Sequence, residues 1–106
     1  MFELKNKEGA NYHFVLKAKN GQVILSSEVY NSKAAAENGI ASVKKNAGDD
    51  ARYERKTAKN GKFFFNLKAG NGQVIGSSQM YASESGMENG IKSVMENAPA
   101  ANTKKE

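Results

Sequence analysis

The chain has 106 residues, of which 39% are hydrophobic and 25% charged, with no cysteine and a formal net charge of +5. That length holds one small domain, and the lack of cysteine removes disulfide frameworks, thiolate metal sites and cysteine nucleophiles. The charge favours solubility but is no dense basic stripe of a nucleic-acid binder, no run approaches the roughly 20 apolar residues of a membrane-spanning helix, and no leader-like run of roughly 7 to 15 apolar residues opens the chain, so the cytoplasm is the expected compartment.

Phe2 and Leu4 alternate with Glu3 and Lys5, which predicts a half-buried first strand. The polar segment 6–11, with Gly9, reads as a hairpin loop. Over residues 12–18, Tyr12, Phe14, Leu16 and Ala18 alternate with His13, Val15 and Lys17, the pattern of a second strand. Asn20-Gly21 predicts a type I′ hairpin turn, which needs positive φ at both central residues. A third strand over 22–27 then pairs antiparallel with the second, with Ile24 and Ser26 on one face and Val23 and Leu25 on the other. Ser32 is placed as an N-cap, and Ala36, Ile40, Val43 and Ala47 form the apolar stripe of a helix lying on the sheet. Gly39 in mid-helix costs about 1 kcal/mol relative to alanine, so its presence points to a close approach of helix and sheet.

The five residues from Asn20 to Ile24 return unchanged from Asn71 to Ile75. The offset of 51 also lays Phe14 on Phe65, Tyr30 on Tyr81, Gly39 on Gly90 and Ala47 on Ala98, so one unit has been used twice. In the second copy Tyr53 stands for Phe2 but Arg55 for Leu4, which puts its first strand nearer the sheet edge or the surface. Asn60-Gly61 reads as a tighter hairpin than its first-copy counterpart, Phe63, Phe65 and Leu67 face the core, and Phe64, Asn66 and Lys68 face away. Ser83 caps a helix with Met87, Ile91, Val94 and Ala98 as its stripe, and Pro99 ends it. The expected architecture is α+β. Two tandem β-β-β-α repeats, 1–51 and 52–98, share one six-stranded antiparallel sheet with both helices on one face and pseudo-twofold symmetry. Residues 99–106 are expected to be a disordered tail, with a short added strand as the other reading.

The ordered set Phe14-Val15-Leu16-Lys17-Ala18, Asn20-Gly21, Ser26-Ser27, Tyr30, Ser32, Gly39-Ile40 and Val43, with its echo in the second copy, resembles the YegP-like family of small bacterial tandem-repeat proteins. The resemblance covers nearly the whole chain up to Ala98. It implies two three-strand-plus-helix units joined into a single sheet, hence a monomer with pseudo-dimeric symmetry, where relatives with one unit would build the same object as a homodimer. It brings no chemistry with it.

No catalytic, metal or cofactor set emerges from the residues. His13 is the single histidine and its second-copy counterpart is Phe64, so it reads as a surface residue. Ser26-Ser27 and Ser77-Ser78 have no activating base in view and suit strand-end hydrogen bonding. Tyr30 and Tyr81 read as wedges of the strand-to-helix corner, and Asn38 and Asn89 as solvated helix residues. Gly70-Asn71-Gly72 joins two strands and opens onto no helix N-terminus, so it is no phosphate cradle. The carboxylates are scattered, with Asp49-Asp50 in a linker, and indicate neither a metal cage nor a glycosidase pair.

What remains is the sheet face away from the helices. Val15, Lys17, Val23 and Leu25 from one copy and Phe64, Asn66, Lys68 and Val74 from the other are expected there, with Val15, Lys17, Val23, Phe64, Lys68 and Val74 as the interaction face. The expected function is a non-enzymatic interaction or structural module that binds a protein through this face. The alternative is weak nucleic-acid binding through Lys17, Lys68, Phe64 and the basic cluster Arg52, Arg55, Lys56, Lys59 and Lys62, using stacking and phosphate neutralisation.

Overall fold

In the computed structural model, which describes residues 1–9 and 11–105, β1 (Phe2–Lys7) pairs antiparallel with β2 (Asn11–Lys17), from Phe2 opposite Leu16 to Lys7 opposite Asn11. The loop expected over 6–11 is therefore only residues 8–10, with Glu8 and Gly9 at φ 35° and 64° and Ala10 outside the described residues. It is tighter than the loop 58–62 between β4 (Tyr53–Thr57) and β5 (Phe63–Lys68), the reverse of the order expected from Asn60-Gly61. The turn type differs as well. At Asn20-Gly21 only the glycine is left-handed, at φ 83°. The Gly21 amide donates to the Ala18 carbonyl at 2.9 Å and the Ala18 amide to the Gln22 carbonyl at 2.9 Å, a three-residue loop closed by a glycine bulge. Asn20 serves through its side chain, whose Oδ1 accepts from the Gln22 amide at 2.9 Å. The same bonds recur at Asn60 and Asn71.

β3 (Val23–Ser26) lies antiparallel to β2, but the register shifts between Leu16 and Lys17, so that Lys17 faces Val23 while Leu16 faces Leu25. Leu25 thus shares the helix-side face of Leu16 and is 1% exposed, which corrects its expected place on the open face. The physical reason is the bulge: one extra residue interrupts the two-residue alternation and sends both Ile24 and Leu25 into the core. β6 (Val74–Ser77) repeats the shift against β5, between Leu67 and Lys68. β3 and β6 then meet antiparallel with Ser26 opposite Ser77. These two residues are 51 apart, so the pseudo-twofold axis runs between them.

The sheet order is β4-β5-β6-β3-β2-β1-β7, with β7 at Thr103–Lys105. The first six strands are mirrored about the β6–β3 seam as a pseudo-twofold requires. β7 corrects two expectations: the described residues form a sheet of seven strands, not six, and the last strand is parallel to its neighbour β1. Of the two readings of the tail, the added strand is the one found, over Thr103–Lys105, because β1 offers an unpaired backbone edge and the Phe2 amide donates to the Asn102 carbonyl at 2.8 Å. Arg55, by contrast, lies on the outermost strand, as its substitution for Leu4 implied.

Helices α1 (Lys33–Asn46) and α2 (Glu84–Asn97) begin where expected, Ser32 Oγ accepting from the Ala35 amide at 3.1 Å and Ser83 Oγ from the Gly86 amide at 3.0 Å. Each crosses the seam: α1 packs on β2 and β6, α2 on β5 and β3. Their stripes, Ala36, Ile40, Val43 and Ala47 with Met87, Ile91, Val94 and Ala98, are buried in one cluster with Phe2, Leu4, Phe14, Leu16, Phe65 and Leu67. Two half-sized units close over one core because neither helix covers only its own strands. The start of the second repeat is tied down by Tyr53, whose buried hydroxyl donates to the Ala47 carbonyl at 2.7 Å, burial pushing the phenol well above its ordinary range. The mid-helix glycines answer to the tyrosine corners: Tyr30 stacks on Phe14 at 6.1 Å between ring centroids and its ring lies against Gly39, and Tyr81 does the same with Phe65 and Gly90.

Candidate functional site

The face opposite the helices is read directly from the strand registers. One row runs across the six repeat strands, Glu3, Val15, Ser26, Ser77, Asn66 and Glu54, symmetric about the seam. On one side of this row Lys17 faces Val23 and Lys56 faces Phe64; on the other Lys5 faces His13 and Lys68 faces Val74, as a twofold through the seam requires. All six residues of the expected interaction face, Val15, Lys17, Val23, Phe64, Lys68 and Val74, therefore lie on this side. Leu25 does not join them. Val15 is 8% exposed, and Val23, Phe64 and Val74 are half-buried, so the apolar part is a shallow layer between longer polar side chains.

Neither face lysine is a free cation. Lys17 Nζ lies 2.9 Å from Glu3 Oε2, and Lys68 Nζ lies 3.0 Å from Glu54 Oε2. Glu3 and Glu54 were not singled out from the sequence, although they stand 51 apart, as the lysines do; that double coincidence was the available signal. The second copy extends the pair into a chain: Ser77 Oγ donates to Asn66 Oδ1 at 2.6 Å, and Asn66 Nδ2 donates to Glu54 Oε1 at 3.2 Å. In the first copy Val15 occupies the Asn66 position and ends the network. One half of the face is apolar at its centre and the other polar.

The basic cluster of the second copy is also largely compensated. Arg52 pairs with Asp49 at 3.5 Å, and Arg55 bridges Asp50 at 2.8 Å and Glu88 of α2 at 2.6 Å. Lys56 stands 3.9 Å from Glu54. The serines are occupied in hydrogen bonding: Ser27 Oγ accepts from the Phe14 amide and donates to the Glu28 carbonyl, and Ser78 does the same with Phe65 and Gln79. Asn38 and Asn89 are exposed, and His13 is half-buried beside Lys5. The grooves along the helix ends and edges are open clefts of about 220 to 370 Å³. Among the described residues no three His, Asp or Glu side chains gather where they could hold a metal ion.

These pairs set an acid limit on stability. Hydrogen bonds from Lys17, Lys68 and Arg55 hold the Glu3, Glu54 and Glu88 carboxyls below their usual 4.5. A carboxyl whose folded value is lowered stabilises the fold fully above its unfolded value and loses that contribution as pH falls through the folded value. Glu54 and Glu88 are about a third to a half exposed, so solvent screening keeps their effects small, whereas the Glu3 side chain is only 16% exposed. The urea midpoint is expected to fall below about pH 4.5, and the triple variant Glu3→Gln, Glu54→Gln, Glu88→Gln should flatten that fall. An undiminished acid response in the triple variant would locate it elsewhere.

The fold thus defines a class: a tandem-repeat α+β protein with one pseudo-twofold sheet, helices on one face and an open opposite face. The chain belongs to the family described as Domain of unknown function (DUF1508), whose model matches twice, at residues 2–54 and 58–104. The resemblance to YegP-like proteins is borne out. The chain is 58% identical to a UPF0339 protein of Acinetobacter baylyi over 97% of its own length and 93% of the relative's. It is 56% identical to UPF0339 protein YegP of Escherichia coli O157:H7, over 97% and 94% of the two chains. The solution NMR structure of yegP from E. coli, described as a protein of unknown function, superposes with a TM-score of 0.93 at 54% identity, covering 99% of this chain and 90% of that one. No described helix is long and apolar enough to cross a membrane. The relatives are bacterial and carry fold and family, not an activity.

Proposed function

We propose that the protein is a non-enzymatic interaction module, a cytoplasmic monomer by virtue of its pseudo-symmetry, which binds a protein partner through the open sheet face. One observation supports this reading above the rest: Lys17 and Lys68, the two lysines of the expected interaction face, are each paired with a carboxylate of the adjacent strand, at equivalent places in the two repeats. A face meant for phosphates keeps its cations available. A face on which Val15, Val23, Val74 and Phe64 lie among paired lysines and glutamates supplies the apolar contacts and satisfied polar groups that a protein interface uses.

The test is the double variant Val23→Glu, Val74→Glu. Both positions are half-buried on the open side, so the urea midpoint should change little, whereas affinity for a partner identified by cross-linking in cells should fall at least about tenfold, ~1.4 kcal/mol. A partner retained at full affinity would remove this face from consideration. The second reading, single-stranded nucleic acid on the same face, predicts saturable binding whose affinity falls steeply with salt, with Lys17→Ala and Lys68→Ala flattening the slope. With those lysines paired, labelled oligonucleotides are expected to show no saturable binding at about 50 mM salt.

A further inference from the structure

The sheet contains one strand that the repeat does not generate. An offset of 51 maps β1, β2 and β3 onto β4, β5 and β6, but among the described residues no strand flanks β4 as β7 flanks β1. β7 is three residues long and parallel to β1, Phe2 facing Thr103, Glu3 facing Lys104 and Leu4 facing Lys105. Residues at the two edges differ accordingly. Beside β7 stands Leu4, 1% exposed; at the equivalent place on the uncovered edge stands Arg55, held by Asp50 and Glu88. The β1 edge is built to be covered, and the β4 edge is charged against it.

Between β7 and α1 lies a groove of about 280 Å³, lined by Glu37, Ile40, Ala41, Lys44 and Thr103. Thr103 therefore meets the helix side, and the next residue, Lys104, is exposed beside Glu3 on the open side. That is the arrangement of a peptide added to a sheet edge: backbone pairing holds it, and alternate side chains enter a groove or meet a charge. A three-residue parallel edge strand sits at the low end of local stability.

We propose that the outer edge of β1, with the groove beneath it, is an acceptor site for an extended segment of another protein. That segment carries a small or β-branched residue followed by lysine or arginine, and residues 103–105 of the chain occupy the site as a displaceable stand-in. The tail itself supplies the template for this chemistry, Thr103 for the groove and Lys104 for Glu3. Tethering gives the tail a high effective concentration, so an incoming segment binds the intact chain more weakly than the released edge. The proposal shares Glu3 with the open face, where it pairs with Lys17, but does not rest on the open-face reading.

The experiment uses the full-length chain carrying Lys104→Pro, which removes an amide from the ladder and disfavours the strand. A capped peptide of the sequence Ala-Ala-Asn-Thr-Lys-Lys is titrated into the isotope-labelled variant and followed by amide shifts. The expected result is saturable shifts confined to β1 and the Ile40 to Lys44 turn of α1, at least about tenfold weaker binding to the unaltered chain, and loss of binding when Glu3→Lys is added or when the peptide lysines become glutamates. No shifts at several millimolar peptide, or shifts spread elsewhere, overturn the proposal. So does a Lys104→Pro chain that loses global stability, since β7 would then be an integral strand and not a displaceable one.

Discussion

Exchanging Leu25 and Gly76 is expected to leave the protein near wild-type stability, although either change alone should be severely destabilising. The two residues are 51 apart and stand one position before the serines that meet at the seam, so the pseudo-twofold turns each towards the other. There is room for one side chain. Leu25 is 1% exposed, and a Cβ built on Gly76 would lie 2.9 Å from both Cγ and Cδ2 of Leu25. Leu25→Gly removes a buried leucine, which by analogy with leucine-to-alanine changes costs about 2–5 kcal/mol, and adds about 0.5–1 kcal/mol for glycine's backbone freedom. Gly76→Leu overfills the seam, at a cost of about 1–3 kcal/mol or more. The double variant places the leucine on the other strand in much the same space and should recover to within about 1–2 kcal/mol of wild type, a large coupling between sites in contact. Urea unfolding of the four proteins measures it. A double variant as unstable as the sum of the singles would show that the two positions do not share one space.

That pair also marks the limit of what the sequence made legible. The repeat offset, the helix caps, both apolar stripes and the edge position of the second copy's first strand follow from local chemistry: a serine hydroxyl before a helix, a 3.6-residue period, an arginine replacing a leucine. The residues of β2 and β5 on the open face were legible too, because strict alternation holds through Val15 and Lys17 and through Phe64 and Lys68. Leu25 was misplaced because the bulge beside Lys17 breaks the alternation, and no residue type announces it. The one hint was the repeat itself, which matches a leucine with a glycine at a position that should otherwise be equivalent. Pairing of Lys17 with Glu3 and Lys68 with Glu54 needs the register of adjacent strands, which alternation within one strand does not contain. The choice between a disordered tail and a short added strand stayed open for a similar reason: the three residues of β7 have no periodicity of their own and owe their conformation to the edge of β1.

Alanine at Gly39 or Gly90 should reverse the usual sign of a glycine-to-alanine change in a helix. On propensity alone either substitution would stabilise by about 1 kcal/mol. Here a Cβ on Gly39 would lie 2.5 Å from Tyr30 Oη, 2.8 Å from its Cζ and 2.9 Å from Phe14 Cε2, and a Cβ on Gly90 would lie 2.7 Å from Tyr81 Cζ. The rings have little freedom to give way. Tyr30 is stacked on Phe14 with an interplanar angle of 12°, and its backbone is pinned to Tyr12 by reciprocal bonds of 2.8 and 2.6 Å. Phe14 itself is fully buried. The helix must rise off the sheet or the corner must open, and overpacking of this kind costs about 1–3 kcal/mol. Because both helices close the same core, the double variant Gly39→Ala, Gly90→Ala should lose more than either single and approach the limit of a domain whose whole stability is about 5–15 kcal/mol. Removing only the hydroxyl, by Tyr30→Phe, leaves the Cζ contact and should rescue Gly39→Ala little. Tyr30→Leu, which deletes the ring, should recover a larger share of the loss due to the alanine, measured against Tyr30→Leu alone. A higher melting temperature for either single alanine variant would show that the tyrosine yields and that helix propensity, not ring contact, governs these positions.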